Sequence, residues 1–229
     1  MTPHRSPLRR LVRWGLNQLY TRFAFAYDRV SRIVSRGEWR EWTRAAIPFI
    51  RGTRILEIAF GTGNLHLDMY DAGCAPIGID LSPNMHALTQ AKFRAAGRAL
   101  PSLVRARVQQ LCFDDASFSS LVMTFPPGFV YDPDAMRELW RVLEPDGVLL
   151  WVDAPLIHPR DIVGRVLHWL FVSTGGCANA ETDELMTLLR EAHDGALWDV
   201  WKWRVEAIEL KYSRVHVFCG TKQFAMNED

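Results

Sequence analysis

The 229 residues include only four cysteines, Cys74, Cys112, Cys177 and Cys219, far apart and without a CxxC pair. Neither a disulfide framework nor a zinc site follows from that spacing, and a reducing cytoplasm is the expected setting. Long apolar runs are missing too. No stretch has the uninterrupted length of a membrane span, and Arg9, Arg10, Arg13, Asn17 and Gln18 break up any secretory h-region. Repeats and low-complexity linkers are also lacking, so 48% hydrophobic and 23% charged residues predict one globular domain with additions. Net charge is almost absent at +1, but it is unevenly spread: residues 1–54 hold twelve arginines against Asp28, Glu38 and Glu41.

That basic stretch has its own pattern. Leu8, Leu11, Leu16, Leu19, Tyr20 and Phe23 recur at helical spacing among arginines, which predicts an amphipathic helix within an N-terminal helical cap over residues 1–50. Packing on its own domain is its ordinary use; peripheral contact with a membrane surface or an anionic partner is the alternative.

From residue 54 onward, short apolar runs alternate with helical patterns. RILEIAF (54–60), PIGIDL (76–81), LVRARV (103–108), SLVMTF (120–125) and GVLLWVD (147–153) read as buried strands, with helices over 65–73, 82–97 and 132–145. Ser82-Pro83 and Asp132-Pro133 are start signals for the last two. Strand and helix in alternation predict a Rossmann-like, doubly wound α/β sheet, mostly parallel, with helices on both faces. The end differs, since 197–210 and 213–222 are two strands joined by a tight turn and therefore antiparallel. A helical insertion over 155–193 separates them from the fifth strand.

In such a sheet ligands bind beyond the C-terminal strand ends, where strand order reverses. The first strand ends there in Glu57-Ile58-Ala59-Phe60-Gly61-Thr62-Gly63. Glycine lets a ligand approach bare backbone, and the next helix offers free N–H groups. Asp80 closes the second strand, where a carboxylate can take both hydroxyls of a ribose. A nucleoside-containing ligand is indicated. The dinucleotide fingerprint fails, because its third glycine would fall on His66 or Asn64, and no GK[ST] follows for a phosphate loop. A pyrophosphate is disfavoured.

At these residues the chain resembles the class I S-adenosylmethionine-dependent methyltransferases, with Ala59 standing where their motif has its first glycine. IGIDLSPNM (77–85), FDDASFSSLVMTF and ELWRVLEPDGVLLWVD resemble further parts of that family, and AYDRVSRIVSRGEWREW resembles the cofactor-covering segment of its quinone-biosynthesis-like small-molecule subgroup. The resemblance implies S-adenosylmethionine as cofactor, with Gly61, Gly63 and Ala59 against its methionine part, Glu57 accepting from its amino group directly or through the loop, and Asp80 on the ribose. It places Leu81 and Met85 beside the adenine, and Thr124 and Phe125 near the methyl group. Tyr27 would close over the methionine end. The family's usual acid after the third strand is Arg107 here, so adenine recognition falls to the Val108 backbone and the Gln109 side chain.

The acceptor is less legible. TFPPGF (124–129) is similar to the [DN]-P-P-[YF] motif of amino-methylating nucleic-acid enzymes, but Phe125 stands where the amine-binding Asp or Asn would be, so a nucleic-acid substrate is not expected. The apolar Ile162, Val163, Val166, Leu167, Leu170 and Phe171 suggest a cover over the site and a hydrophobic or aromatic small-molecule acceptor, with plain core packing the other reading. Asp153, His158 and Tyr131 are the candidate bases should the acceptor have to lose a proton. The rival to an enzyme is a cofactor-binding or regulatory protein of the same fold.

Overall fold

The computed structural model describes Arg29 and residues 31–126, 128–173 and 198–222, with Met186, Thr187, Arg190 and Glu191, and for 170–173 the backbone alone. Tyr27, the 8–23 pattern and most of 181–193 lie outside the described residues.

The order of elements is α1 (Trp39–Arg44), β1 (Ile55–Ile58), α2 (Asn64–Asp71), β2 (Ile77–Ile79), α3 (Pro83–Ala95), β3 (Ser102–Val104), β4 (Phe118–Thr124), α4 (Pro133–Val142), β5 (Leu143–Val152), β6 (Leu156–Ile157), α5 (Ile162–Ser173), β7 (Trp201–Glu209) and β8 (Ser213–Lys222). The strands form one eight-stranded sheet in the order β3-β2-β1-β4-β5-β8, with β7 on the far side of β8 and the short β6 pairing the start of β8. Strands β1 to β5 are parallel, and β8 runs against β5 and β7. The doubly wound reading therefore holds, including its antiparallel end.

Alternation along β1 divides the core. Leu56 and Ile58 join Leu121, Met123, Leu149, Trp151 and Phe218 on the face covered by α4 and the β7 tryptophans. Ile55 joins Val122, Leu150, Val152, Val215 and Val217 on the other face, under α1 and α2. Burial on both faces is why these strands read as continuous apolar runs. The fifth strand begins earlier than its apolar run suggests. Phe118 pairs with Leu143, then Ser120 with Val148, so Glu144 to Gly147 bulge out of register and the preceding helix stops at Val142.

Capping follows the sequence signals. Ser82 Oγ accepts from Met85 N–H at 3.4 Å with Pro83 in the first turn, and Asp132 Oδ1 accepts from Asp134 N–H at 3.0 Å. Asp132 Oδ2 also accepts from Gln109 Nε2 at 2.9 Å, tying the loop after β3 to α4. These two hydrogen bonds hold the exposed Asp132 carboxyl below its ordinary range, the Gln109 contact being the larger cause.

Candidate functional site

Strand order reverses between β1 and β4, whose C-terminal ends lie side by side, with Ile58 opposite Met123. A cavity of about 610 Å³ opens there. Its size lies within the range of small-molecule and cofactor pockets.

The turn after β1 forms its floor. Ala59, Gly61 and Gly63 all have positive φ, at 56°, 57° and 74°. The two glycines are bare for different reasons. A Cβ on Gly61 would have no neighbour nearer than Ala59 O at 4.0 Å, because that side opens into the cavity. A Cβ on Gly63 would lie 2.4 Å from Thr89 Cγ2. Gly63 itself is not among the cavity-lining residues, and its lack of a side chain admits the packing of α3 on the turn.

Two carboxylates stand at the cavity wall. Asp80 Oδ2 accepts from Gly61 N–H at 3.0 Å and Oδ1 from Ser82 N–H at 2.8 Å. A carboxylate has about four acceptor positions, so each oxygen keeps capacity for a hydroxyl. Glu57 is different. It is 2% exposed, and its Oε2 lies 2.6 Å from Nδ1 of the equally buried His66. Burial pushes the Glu57 carboxyl above its ordinary value, with His66 pulling the other way. Its strong partner is a histidine nine residues along, on the first turn of α2, and Glu57 still lines the cavity.

An aromatic wall closes the end nearer β4. Phe125 has φ 48°, a conformation that strains a bulky residue, and is held there by its N–H to Val152 O at 2.9 Å and by ring contacts with Trp39 at 5.0 Å and Trp42 at 6.3 Å. Trp39 and Thr43 reach the wall from α1. That helix is anchored by ion pairs from Arg40 and Arg44 to the buried Asp68 of α2. On its other side Trp42 Nε1 donates to Ser213 Oγ at 2.7 Å, and Glu38 accepts from Ser213 Oγ and Tyr212 N–H at 2.6 and 2.9 Å.

Of the expected cofactor residues, Glu57, Ala59, Gly61, Asp80, Leu81, Met85, Val108, Gln109, Thr124 and Phe125 line this one cavity, as does Arg107. The three candidate bases do not. His158 Nε2 lies 3.2 Å from Glu209 Oε2 beside the turn of the β7–β8 hairpin, Tyr131 is 48% exposed, and Asp153 follows the end of β5. Burial raises the Asp153 carboxyl above its ordinary range. No described residue of 155–173 lines the cavity. Residues missed from the sequence include His66, Trp39, Thr43 and Phe129. Trp39, Thr43 and Phe129 had a signal, through segments that contain or adjoin them, and His66 had none as the partner of Glu57.

A family model described as a methyltransferase domain matches residues 56–151. A demethylmenaquinone methyltransferase of Thermus thermophilus is 32% identical over 161 residues, covering 67% of this chain and 71% of the relative. The chain belongs to the class I S-adenosylmethionine-dependent methyltransferases. Another demethylmenaquinone methyltransferase, of Symbiobacterium thermophilum, is 30% identical over 67% of this chain, and there the match spans 65% of the relative's length. In fold, a solved S-adenosylmethionine-dependent methyltransferase of Thermotoga maritima, titled a possible histamine N-methyltransferase, superposes with a TM-score of 0.60 at 21% identity, over 90% of this chain and 99% of that one.

The residues present fit the family's cofactor, S-adenosylmethionine. The open side of Gly61 leaves room beside bare backbone, the Asp80 carboxylate suits a ribose diol, and the apolar Leu81, Met85 and Val108 suit a purine. Arg107 places a donor-only cation on the same wall.

Proposed function

We propose that this chain transfers the methyl group of S-adenosylmethionine to a small hydrophobic or aromatic acceptor. The observation that carries the reading is the joining of Gly61, Asp80 and the Trp39–Phe125 wall in one cavity at the switch point of the sheet. The curated relatives named for demethylmenaquinone methylation support an acceptor of that class.

When bound, the cofactor supplies a methyl carbon already activated by sulfonium charge. What remains for the protein is alignment and exclusion of water. Asp80 fixes the ribose and Gly61 permits close approach, while Phe125, Trp39 and Thr124 shape the space in which an acceptor must lie. Aromatic faces there also favour a neighbouring cation. Asp153, His158 and Tyr131 stand off the cavity wall, which supports a mechanism led by positioning.

Calorimetric titration with S-adenosylmethionine tests the site, and release of S-adenosylhomocysteine across a panel of quinols, phenols and amines tests the reaction. Binding without release for any acceptor would favour a regulatory protein of this fold. Once an acceptor is known, replacing Asp153, His158 and Tyr131 singly should cost at most about 100-fold in turnover each. A far larger loss at one position, with cofactor affinity intact, would identify a dedicated base.

A further inference from the structure

Helix α5 turns an apolar face outward. Ile162, Val163, Val166 and Trp169 are 72, 54, 52 and 63% exposed, and their spacing sets them along one side of the helix. Ile33 and Val34, at 71 and 46%, extend the patch from the segment before α1. The two pieces are joined. Arg36 donates to both oxygens of Asp161 at 3.0 and 2.8 Å, its guanidinium lies 3.6 Å from the Tyr212 ring centroid, and Asp161 Oδ1 in turn accepts from Gly164 N–H at 2.7 Å in the first turn of α5. Six large apolar side chains gathered this way exceed the scattered exposure ordinary on a surface.

The charges around the patch are mainly basic. Arg29, Arg32, Arg160 and Arg165 are exposed, and the acid among them, Asp161, is taken by Arg36. The preceding residues 1–28 add five arginines and a single acid, Asp28. A second copy of the chain would set these cations against their own kind across the interface. A nucleic acid would meet the charges but leave the valines and isoleucines uncovered.

We infer that this face docks on an anionic lipid surface. At 12 residues α5 is too short to span a bilayer. Lying in the interface, it would bury its apolar side chains below the headgroups, with Trp169 at their level and the arginines against lipid phosphates. The helix leaves the sheet beyond β5 and β6, on the same C-terminal side as the cavity, so docking brings the cavity side toward the membrane. An apolar acceptor dissolved in lipid then has a short path to the site. That consequence rests on the proposed acceptor class; the docking itself does not.

Sedimentation of the full chain with vesicles of phosphatidylcholine alone, and with 30% phosphatidylglycerol, tests docking without cofactor or acceptor. At low salt we expect at least ten-fold stronger partitioning to the anionic vesicles, weakening as salt rises. Val163→Glu with Val166→Glu should lower it ten-fold or more. Arg160→Ala with Arg165→Ala should lower it roughly five-fold per arginine. Both pairs of positions are exposed, so unchanged circular dichroism and melting temperature will show that the fold survives. No binding at low salt, equal binding to both vesicle types, or wild-type binding by the Val163→Glu, Val166→Glu chain would overturn the inference. So would a dimer in sedimentation velocity that those two substitutions convert to monomer.

Discussion

The two ends of the cavity are built differently. At the cofactor end, the fixing contacts are close in the chain: Ser82 N–H to Asp80 spans two residues, His66 to Glu57 nine, and Gly61 N–H to Asp80 nineteen. Behind the aromatic wall at the acceptor end, Trp42 of α1 meets Ser213 across 171 residues, and Glu38 meets Tyr212 and Ser213 across 174 and 175. A local turn can be carried by a short motif, whereas a wall assembled from three distant segments exists only once the sheet has closed. On the proposed assignment, variation at the acceptor end should alter what is methylated without disturbing how the donor is held.

The largest expected effect divides the cofactor turn itself. Gly61→Val should abolish cofactor binding in calorimetry, because Val occupies ligand space and cannot easily hold φ 57°. Gly63→Ala should instead act on stability. Its Cβ would press on Thr89, overpacking of a kind that costs roughly 1–3 kcal/mol, while the molecules still folded bind cofactor normally. Normal binding by Gly61→Val, or lost binding with full stability in Gly63→Ala, would reverse the assignment of the two glycines.

Next in size is Asp80→Ala, which should weaken cofactor binding by about 2 kcal/mol through lost charge-assisted hydrogen bonds. Part of that effect comes through the turn, since the same carboxylate holds Gly61 N–H. Asp80→Asn keeps an acceptor and should recover some affinity. Identical affinities for wild type and Asp80→Ala would remove the ribose assignment.

What the sequence made legible follows the same division. The strands, the Gly61 turn and Asp80 are visible because alternating elements, a glycine turn and an acid at a strand end each have a local physical signature. The packing use of Gly63 is not legible, because a glycine's spacing does not tell what its missing Cβ would strike, and the struck atom belongs to Thr89 on another helix. His66 was overlooked as the partner of Glu57 because it reads as one more residue of an apolar helix start; only the crossing of α2 over β1 turns it back. The apolar residues of α5 were legible as a face, but nothing in their periodicity says whether a face turns to the core, the cavity or solvent. Tyr27 and Phe171 stay as expectations, being outside the described residues and side chains.

A smaller effect is read through pH. His216 on β8 is 1% exposed, its Nε2 has no hydrogen-bond partner among the described residues, and burial, with Arg214 nearby, holds its pKa below the ordinary 6.5. The unfolded chain takes up this proton at a higher pH than the folded one. The contribution is therefore fully present above about pH 6.5 and is lost as pH falls toward the depressed value, by at most about 1.4 kcal/mol per pH unit. Denaturant melts of His216→Gln across that window should show a flatter profile than wild type. Equal slopes would mean that His216 titrates as freely as in the unfolded chain.

The smallest effect returns to the cofactor turn. Ala59 occupies the left-handed region at φ 56°, where an L-residue with a Cβ pays roughly 1–2 kcal/mol that glycine avoids. Glycine in turn loses more freedom on folding, roughly 0.5–1 kcal/mol. The difference favours Ala59→Gly by about 0.5–1 kcal/mol, which is a rise in melting temperature of roughly 1–4 °C for a chain of this size. Cofactor affinity should stay within about two-fold, since the turn keeps its conformation and Asp80 still holds Gly61. The Ala59 methyl, however, packs against the core cluster that contains Leu56 and Ile58. If Ala59→Gly lowers the melting temperature, that contact outweighs the backbone strain, and alanine at this position is a packing residue. If it raises the melting temperature as expected, the turn is held in a strained state by its surroundings, and Ala59 is the one place where the cofactor end departs from its own local logic.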